Sequence, residues 1–216
     1  MEPVFQVYQC SDPACRMRFS TDLSVTELVH CPKCGGEMAP SGHPYVNFRP
    51  PRGFLQAQPV DLVVILDNLR STLNVGSIFR SSDGAGITHV YCCGTTPTPE
   101  HSKIAKTSLG AESFTPWSYH PNAVDLAVTL QQAGRQLIAL ESVPNAISLF
   151  ELDSLDAHNP LALIVGNEIS GIDPAILAVA DYHLAIPMAG QKTSLNVAVS
   201  AGIAMYTLAE RIKRVT

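Results

Sequence analysis

Val60–Leu66 reads VDLVVIL, seven residues of which six are apolar and most are β-branched. A strand with one wet face alternates apolar and polar residues. A continuous run like this one fits a strand covered on both faces, as in a parallel sheet. Gln136–Leu140 (QLIAL), Leu161–Val165 (LALIV) and His183–Ile186 (HLAI) read the same way, with Thr88–Cys92 as a further strand and Ser113–Trp117 as an apolar-aromatic one. Helical spacing intervenes. Val75, Ile78 and Phe79 place a helix over Asn74–Ala85, and Glu100–Leu109 forms a short one. Ala123, Leu126, Ala127 and Leu130 line the inner face of a helix over Pro121–Ala133. Ser194–Val215 is a long terminal helix with Ser194 as its N-cap. Strands alternating with helices predict an α/β fold on a parallel sheet, with ligands beyond the C-terminal strand ends.

The first 34 residues obey different rules. Cys10, Cys15, Cys31 and Cys34 form C-x4-C and, after fifteen residues, C-x2-C followed by Gly35-Gly36. Two thiolate pairs on two tight turns can close a tetrahedron around one Zn(II). Pro32 and the two glycines allow the second turn to aim backbone N–H groups at sulfur. Residues 1–48 are therefore expected to be a zinc ribbon that draws most of its folding energy from the metal. Two disulfides are the rival reading, and His30 and His43 are the substitutes should one Cys not be a ligand. The Arg16-Met17-Arg18-Phe19 strip is compatible with RNA backbone contact plus stacking. Phe48–Pro59 (FRPPRGFLQAQP) has three prolines and a glycine, so residues 49–59 read as a linker and 60–216 as the larger domain. Cys92 and Cys93 read as small buried hydrophobes at a strand end.

Net charge is −5, the wrong sign for indiscriminate nucleic-acid binding. The acidity is uneven: residues 50–110 carry five Lys/Arg against four Asp/Glu, and residues 111–216 five against ten. A local basic surface around Arg16, Arg18, Arg49, Arg52 and the Arg70/Arg80 region is compatible with this balance. No segment reaches the roughly 18 uncharged apolar residues that span a bilayer. The N-terminus lacks a basic segment followed by an apolar core, so the chain is expected to be cytoplasmic, with no membrane partner.

Three segments carry the chemistry: Leu66–Gly86 (LDNLRSTLNVGSIFRSSDGAG), Leu163–Asp173 (LIVGNEISGID) and Leu184–Ala198 (LAIPMAGQKTSLNVA). The first strand is followed by DNLRSTLNVGS and not by G-x-G-x-x-G, so a Rossmann cofactor site is not indicated. In this order and spacing the three segments resemble the motifs of the SpoU/TrmH branch of the SPOUT superfamily, over roughly Val60–Thr216. That resemblance implies a deep C-terminal trefoil knot, from about Leu161 to the start of the last helix. It also implies a homodimer packed through the knot and terminal helix, S-adenosylmethionine (SAM) as cofactor, and ribose 2′-O-methylation of RNA, either tRNA or rRNA. The face Ala198, Ala201, Gly202 and Met205 would serve close helix packing, between subunits or within one.

Carried onto this chain, the cofactor would lie in the loop after Leu140, the Gly166-Asn167-Glu168 loop and the Ile186–Leu195 loop. Gly166 would let backbone approach adenine, and Ile186, Met188 and Leu195 would sandwich it. Glu141-Ser142 follows Leu140 where the family often has Thr. Asn74 and Arg80 stand six apart on one side of a helix start, and the Arg matches the family's proposed catalytic centre. A guanidinium ordinarily keeps its proton, so Arg80 is expected to bind phosphate and stabilise a developing alkoxide. Glu168 would orient Asn74, Arg80 or a loop N–H, and Ser194 and Asn196 would face cofactor and substrate. Lys192, Lys103 and Lys106 are candidate phosphate contacts. The competing readings are a SPOUT base methyltransferase, which the Asn74/Arg80 pair and the Ser-Leu-Asn motif disfavour, and a weak or inactive SPOUT-fold protein in RNA binding or assembly.

Overall fold

The computed structural model describes residues 2–24, 29–48, 50–51, 58–152 and 158–215. Most of the linker, with Arg49 and Arg52, lies outside the described residues. The chain divides into two compact units, Met1–Gln56 and Ala57–Thr216.

The smaller unit is an antiparallel sheet of β1 (Val4–Cys10), β2 (Arg18–Asp22), β3 (Met38–Pro40) and β4 (Tyr45–Val46), with β1 pairing all three others. Its buried centre is four side chains, Tyr8, Cys10, Cys31 and Met38, with Cys15, Met17 and Phe19 packed against them. A cluster that small cannot offset the entropy of ordering some fifty residues. The strip Arg16–Phe19 divides. Met17 and Phe19 serve this core, Met17 Sδ lying 3.9 Å from Cys31 Sγ, so neither is a free stacking surface. The Arg18 guanidinium donates to Gln9 Oε1 and Ser41 Oγ within the sheet.

The larger unit runs β5 (Val60–Asp67), α1 (Thr72–Ala85), β6 (Ile87–Cys93), α2 (Ala105–Ser108), β7 (Trp117–His120), α3 (Ala123–Gln132), β8 (Gln136–Leu140), β9 (Ile147–Ser148), β10 (Leu161–Val165), α4 (Pro174–Val179), β11 (Tyr182–Ala185) and α5 (Val197–Val215). The seven strands form one parallel sheet in the order β7-β6-β5-β10-β8-β11-β9. Strand β10 enters between β5 and β8, and β11 between β8 and β9, so late strands lodge between earlier ones. Alternate residues of β5 feed two cores. Val60, Leu62, Val64 and Leu66 pack beneath α1 and α5, and Val63 and Ile65 beneath α3 and α4. Cys92 and Cys93 are fully buried, one in each core, and burial pushes both thiols up to about 12.

Local chemistry sets the element ends. Ser71 caps α1 by accepting the Asn74 N–H, and Gly86 closes it in the left-handed region. Asp173 caps α4, whose first residue is Pro174. Three expected elements start three or more residues later than expected. The Ser113–Trp117 strand begins only at Trp117, because Ala111–Ser113 is a 3-10 turn and Pro116 offers no donor. The Glu100–Leu109 helix shrinks to Ala105–Ser108, behind turns at Thr98–His101 and His101–Ile104. The terminal helix starts at Val197, not Ser194: Asn196 Oδ1 accepts the Ala198 N–H at 2.8 Å and its carbonyl takes the Ser200 N–H, so Asn196 is the cap. Ala201 and Met205 are buried against α1 within the subunit, where Ser82 Oγ reaches Met205 Sδ and Gly202 faces Ser81.

Candidate functional site

The C-terminal ends of β5, β8, β10 and β11 lie at one edge of the parallel sheet, and the loops that leave them build the site. A cleft of about 340 Å³ opens there. Its walls include Leu140, Gly166, Ile186, Met188 and Leu195, the five expected cofactor contacts, together with Glu168, Ser194 and Asn196. Its charged lining residues are two carboxylates, Glu141 and Glu168; none is Lys, Arg or His. A pocket of that composition favours a ligand of net positive charge and repels a phosphate.

Glu168 ties the cleft to α1. Its Oε2 accepts the Arg70 N–H at 3.0 Å; its Oε1 accepts the Ser71 N–H at 3.1 Å and Asn74 Nδ2 at 2.9 Å. Asn74 Oδ1 then accepts Asn196 Nδ2 at 3.1 Å. One chain of hydrogen bonds thus joins the first, second and third motifs. Burial acts to raise the Glu168 carboxyl, but the donors from Asn74, Arg70 and Ser71 outweigh it and hold the group below the usual carboxylate range. A carboxylate so committed is a poor proton acceptor and a good anchor. It does not reach Arg80. That side chain is exposed on α1, and no hydrogen bond or ion pair joins it to another described residue. Six residues along a helix also set it about 120° around the axis from Asn74, so the two do not share one side. Lys103, Lys106 and Lys192 are exposed as well.

Several residues with no expected role of their own shape these loops. Asn167 Nδ2 donates to the Asn68 carbonyl at 2.6 Å, and its Oδ1 takes the Ile169 and Ser170 N–H groups. Asp67, 2% exposed, accepts from Asp173 N and Asn68 Nδ2. Burial nonetheless pushes its carboxyl above the usual range. Asn68 sits at φ 57°, a left-handed conformation that Asn tolerates and that marks a tight turn. Glu141 accepts the Ile172 N–H at 3.1 Å. Gly166 is required for a reason other than the expected one. A Cβ there would lie 2.3 Å from Gly171 C and Ile172 N, so the chain's own backbone occupies the space.

In the smaller unit the Cys10, Cys15, Cys31 and Cys34 sulfurs all lie within 4.8 Å of one another, with Cys10–Cys34 at 3.5 Å and Cys15–Cys31 at 3.8 Å. No disulfide joins any of the six cysteines, and neither His30 nor His43 belongs to the group. Burial acts to raise the Cys31 thiol, yet the Cys34 and Lys33 N–H groups bring it down to about 7. The Gly36 N–H points at Cys34 Sγ from 3.4 Å.

Residues 61–206 match the profile of the SpoU rRNA Methylase family. The chain belongs to this family. Among its relatives, the tRNA (guanosine(18)-2′-O)-methyltransferase of Aquifex aeolicus (strain VF5) is 30% identical over 162 residues, 72% of each chain. An uncharacterised tRNA/rRNA methyltransferase of Mycobacterium tuberculosis (strain ATCC 25618 / H37Rv) is 31% identical over 144 residues, 67% of this chain and 50% of the relative. The chain thus spans only about half the length of some curated relatives it matches. The crystal structure of an AdoMet-bound rRNA methyltransferase from Sinorhizobium meliloti superposes with a TM-score of 0.65 at 26% identity, covering 76% of this chain and 59% of that one. The fold of the larger unit is that of these SPOUT enzymes, an α/β parallel sheet, here preceded by a small thiol-rich unit compatible with metal binding.

Proposed function

We propose that this chain is a SAM-dependent RNA methyltransferase that acts on a ribose 2′-hydroxyl in tRNA or rRNA. The observation that carries the reading is the Glu168–Asn74–Asn196 chain, which joins an acidic cleft to the helix bearing the exposed Arg80. The fit with SAM is chemical. Sulfonium, ammonium and carboxylate give that molecule a net positive charge, and Glu141 and Glu168 are the charges lining the cleft. Gly166, Ile186, Met188, Leu140 and Leu195 would hold its adenosyl part. Bound there, SAM supplies an electrophilic methyl group.

The chain's own residues do the rest by position and charge. Asn74 and Asn196 each spend one amide N–H on the network and keep a second free, so they can orient the ribose. Arg80 would grip the phosphate beside the target sugar with two parallel hydrogen bonds and stabilise negative charge developing on the attacking oxygen. Glu168 holds Asn74 in place, and Ser194 lines the cleft beside Asn196. Exposed Lys103, Lys106 and Lys192 would meet the RNA backbone.

The four cysteines would hold one structural Zn(II). Zinc–sulfur bonds of about 2.3 Å in a tetrahedron put sulfurs roughly 3.8 Å apart, close to the spacings present. The ion would supply folding energy to the ribbon and no chemistry to the transfer. Two copies would pair through the knot and α5, whose Val199 and Tyr206 are exposed, as is Leu195 just before it. Among the described residues no helix is long and apolar enough to cross a membrane. Titration of SAM into the purified protein tests the cofactor assignment: saturable binding supports it, and none would sink it.

A further inference from the structure

We propose that Glu141 reads the ribose hydroxyls of the cofactor, an inference that rests on the cleft being an adenosyl site. Glu141 stands at the junction of the three loops that wall the cleft. Its own N–H donates to the Leu184 carbonyl, fastening the end of β8 to β11. Glu141 lines the cleft, and its carboxylate accepts the Ser142 N–H on Oε1 at 3.2 Å and the Ile172 N–H on Oε2 at 3.1 Å. Gly171, at φ +74°, lets the backbone close on it; a Cβ there would be 2.6 Å from Oε2. The carboxylate is thereby held in one pose by main-chain groups of two loops.

A carboxylate has about four acceptor positions, two on each oxygen, and the backbone donors use one on each. One acceptor per oxygen remains. Two adjacent acceptors of fixed geometry match the two adjacent O–H donors of a vicinal diol. The adenosyl moiety carries one diol, its 2′,3′-hydroxyl pair. A carboxylate at the end of a parallel strand that holds a nucleoside diol is a recurrent solution in α/β sheets, reached here without the Gly-rich fingerprint. The same group repels anions, so adenosine ligands phosphorylated on the ribose should be excluded.

Equilibrium binding to the full chain tests this. The probes are S-adenosylhomocysteine, its 2′,3′-dideoxyadenosyl analogue, and 5′-methylthioadenosine, which keeps the diol but lacks the amino-acid end. Wild type should bind S-adenosylhomocysteine about ten- to a hundredfold more tightly than the dideoxy analogue, the range for hydrogen bonds to a charged group. In Glu141→Ala that ratio should fall towards one, and in Glu141→Gln it should fall part of the way. Both variants should weaken 5′-methylthioadenosine as much as S-adenosylhomocysteine. Glu141→Gln, nearly isosteric, keeps the test valid if Glu141→Ala does not fold. A ratio unchanged in the variants would overturn the proposal. So would a loss confined to S-adenosylhomocysteine, which would assign Glu141 to the ammonium group instead. Wild type binding neither S-adenosylhomocysteine nor 5′-methylthioadenosine would overturn the adenosyl reading of the cleft itself.

Discussion

Glu168 is an anchored anion, whereas Arg80, the proposed cation of the transfer, is exposed with no hydrogen bond or ion pair to another described residue. Glu168 accepts three N–H donors and is held below the usual carboxylate range, so its ionised form stabilises the fold. The sign follows from linkage: a lowered folded pKa adds stability that is fully present above the ordinary value of 4.5 and lost as pH falls through the folded value. Glu168→Gln should therefore remove acid sensitivity that wild type shows below about 4.5, seen in melting temperature against pH. It should also cut transfer roughly tenfold or more by releasing Asn74. An unchanged acid profile in that variant would contradict the anchor role. The residue types at these positions were legible in the sequence because the motifs name them. Their bonds were not. Asn167 finds Asn68 across 99 residues, and Asp67 finds Asp173 across 106, partners that no local pattern reveals.

At the scale of elements, the sequence was most readable where burial on both sides suppresses alternation. Gln136–Leu140 and Leu161–Val165 are strands with the expected bounds. It was least readable where an element is too short for periodicity to register, as in the two residues of β9 and the six of α4. Terminal positions shifted for a local reason: in α5 the Asn196 amide caps the helix that Ser194 was expected to cap. Leu163 on β10 is fully buried in the core beneath α1 and α5. Leu163→Ala should cost about 2–5 kcal/mol, measured by denaturant titration. Gly166→Ala should disrupt the 166–172 loop, since its methyl would meet the 171–172 backbone. The expected outcome is a loss of cofactor binding in isothermal titration with the unfolding midpoint also lowered; unaltered affinity would contradict the packing argument.

Taken whole, the molecule pairs a small unit with four clustered thiols, for which a structural metal is proposed, with a core-stabilised one. The larger unit buries two extensive clusters, whereas the smaller buries four residues, two of which, Cys10 and Cys31, belong to the thiol group. Strong chelation should therefore unfold residues 1–48 selectively, with loss of their amide dispersion in NMR, and leave the 60–216 fold intact. Retention of the ribbon's signals after metal removal would contradict a structural zinc. The two-unit reading was available from the cysteine spacing and the proline-rich segment, since those features are local. The interleaved order of β10, β8, β11 and β9 was not, because strand order depends on long-range pairing that composition does not record.

The proposed chemistry has this cleft and Arg80 together methylate a ribose hydroxyl. The direct measurement is transfer from labelled SAM to total RNA lacking its own modification, wild type beside Arg80→Ala, followed by nucleoside analysis. The expected result is a labelled 2′-O-methyl nucleoside with wild type and its loss, by at least about a hundredfold, in the variant that still binds SAM. Label on a base, or no transfer to any RNA by a wild type that binds SAM, would contradict it.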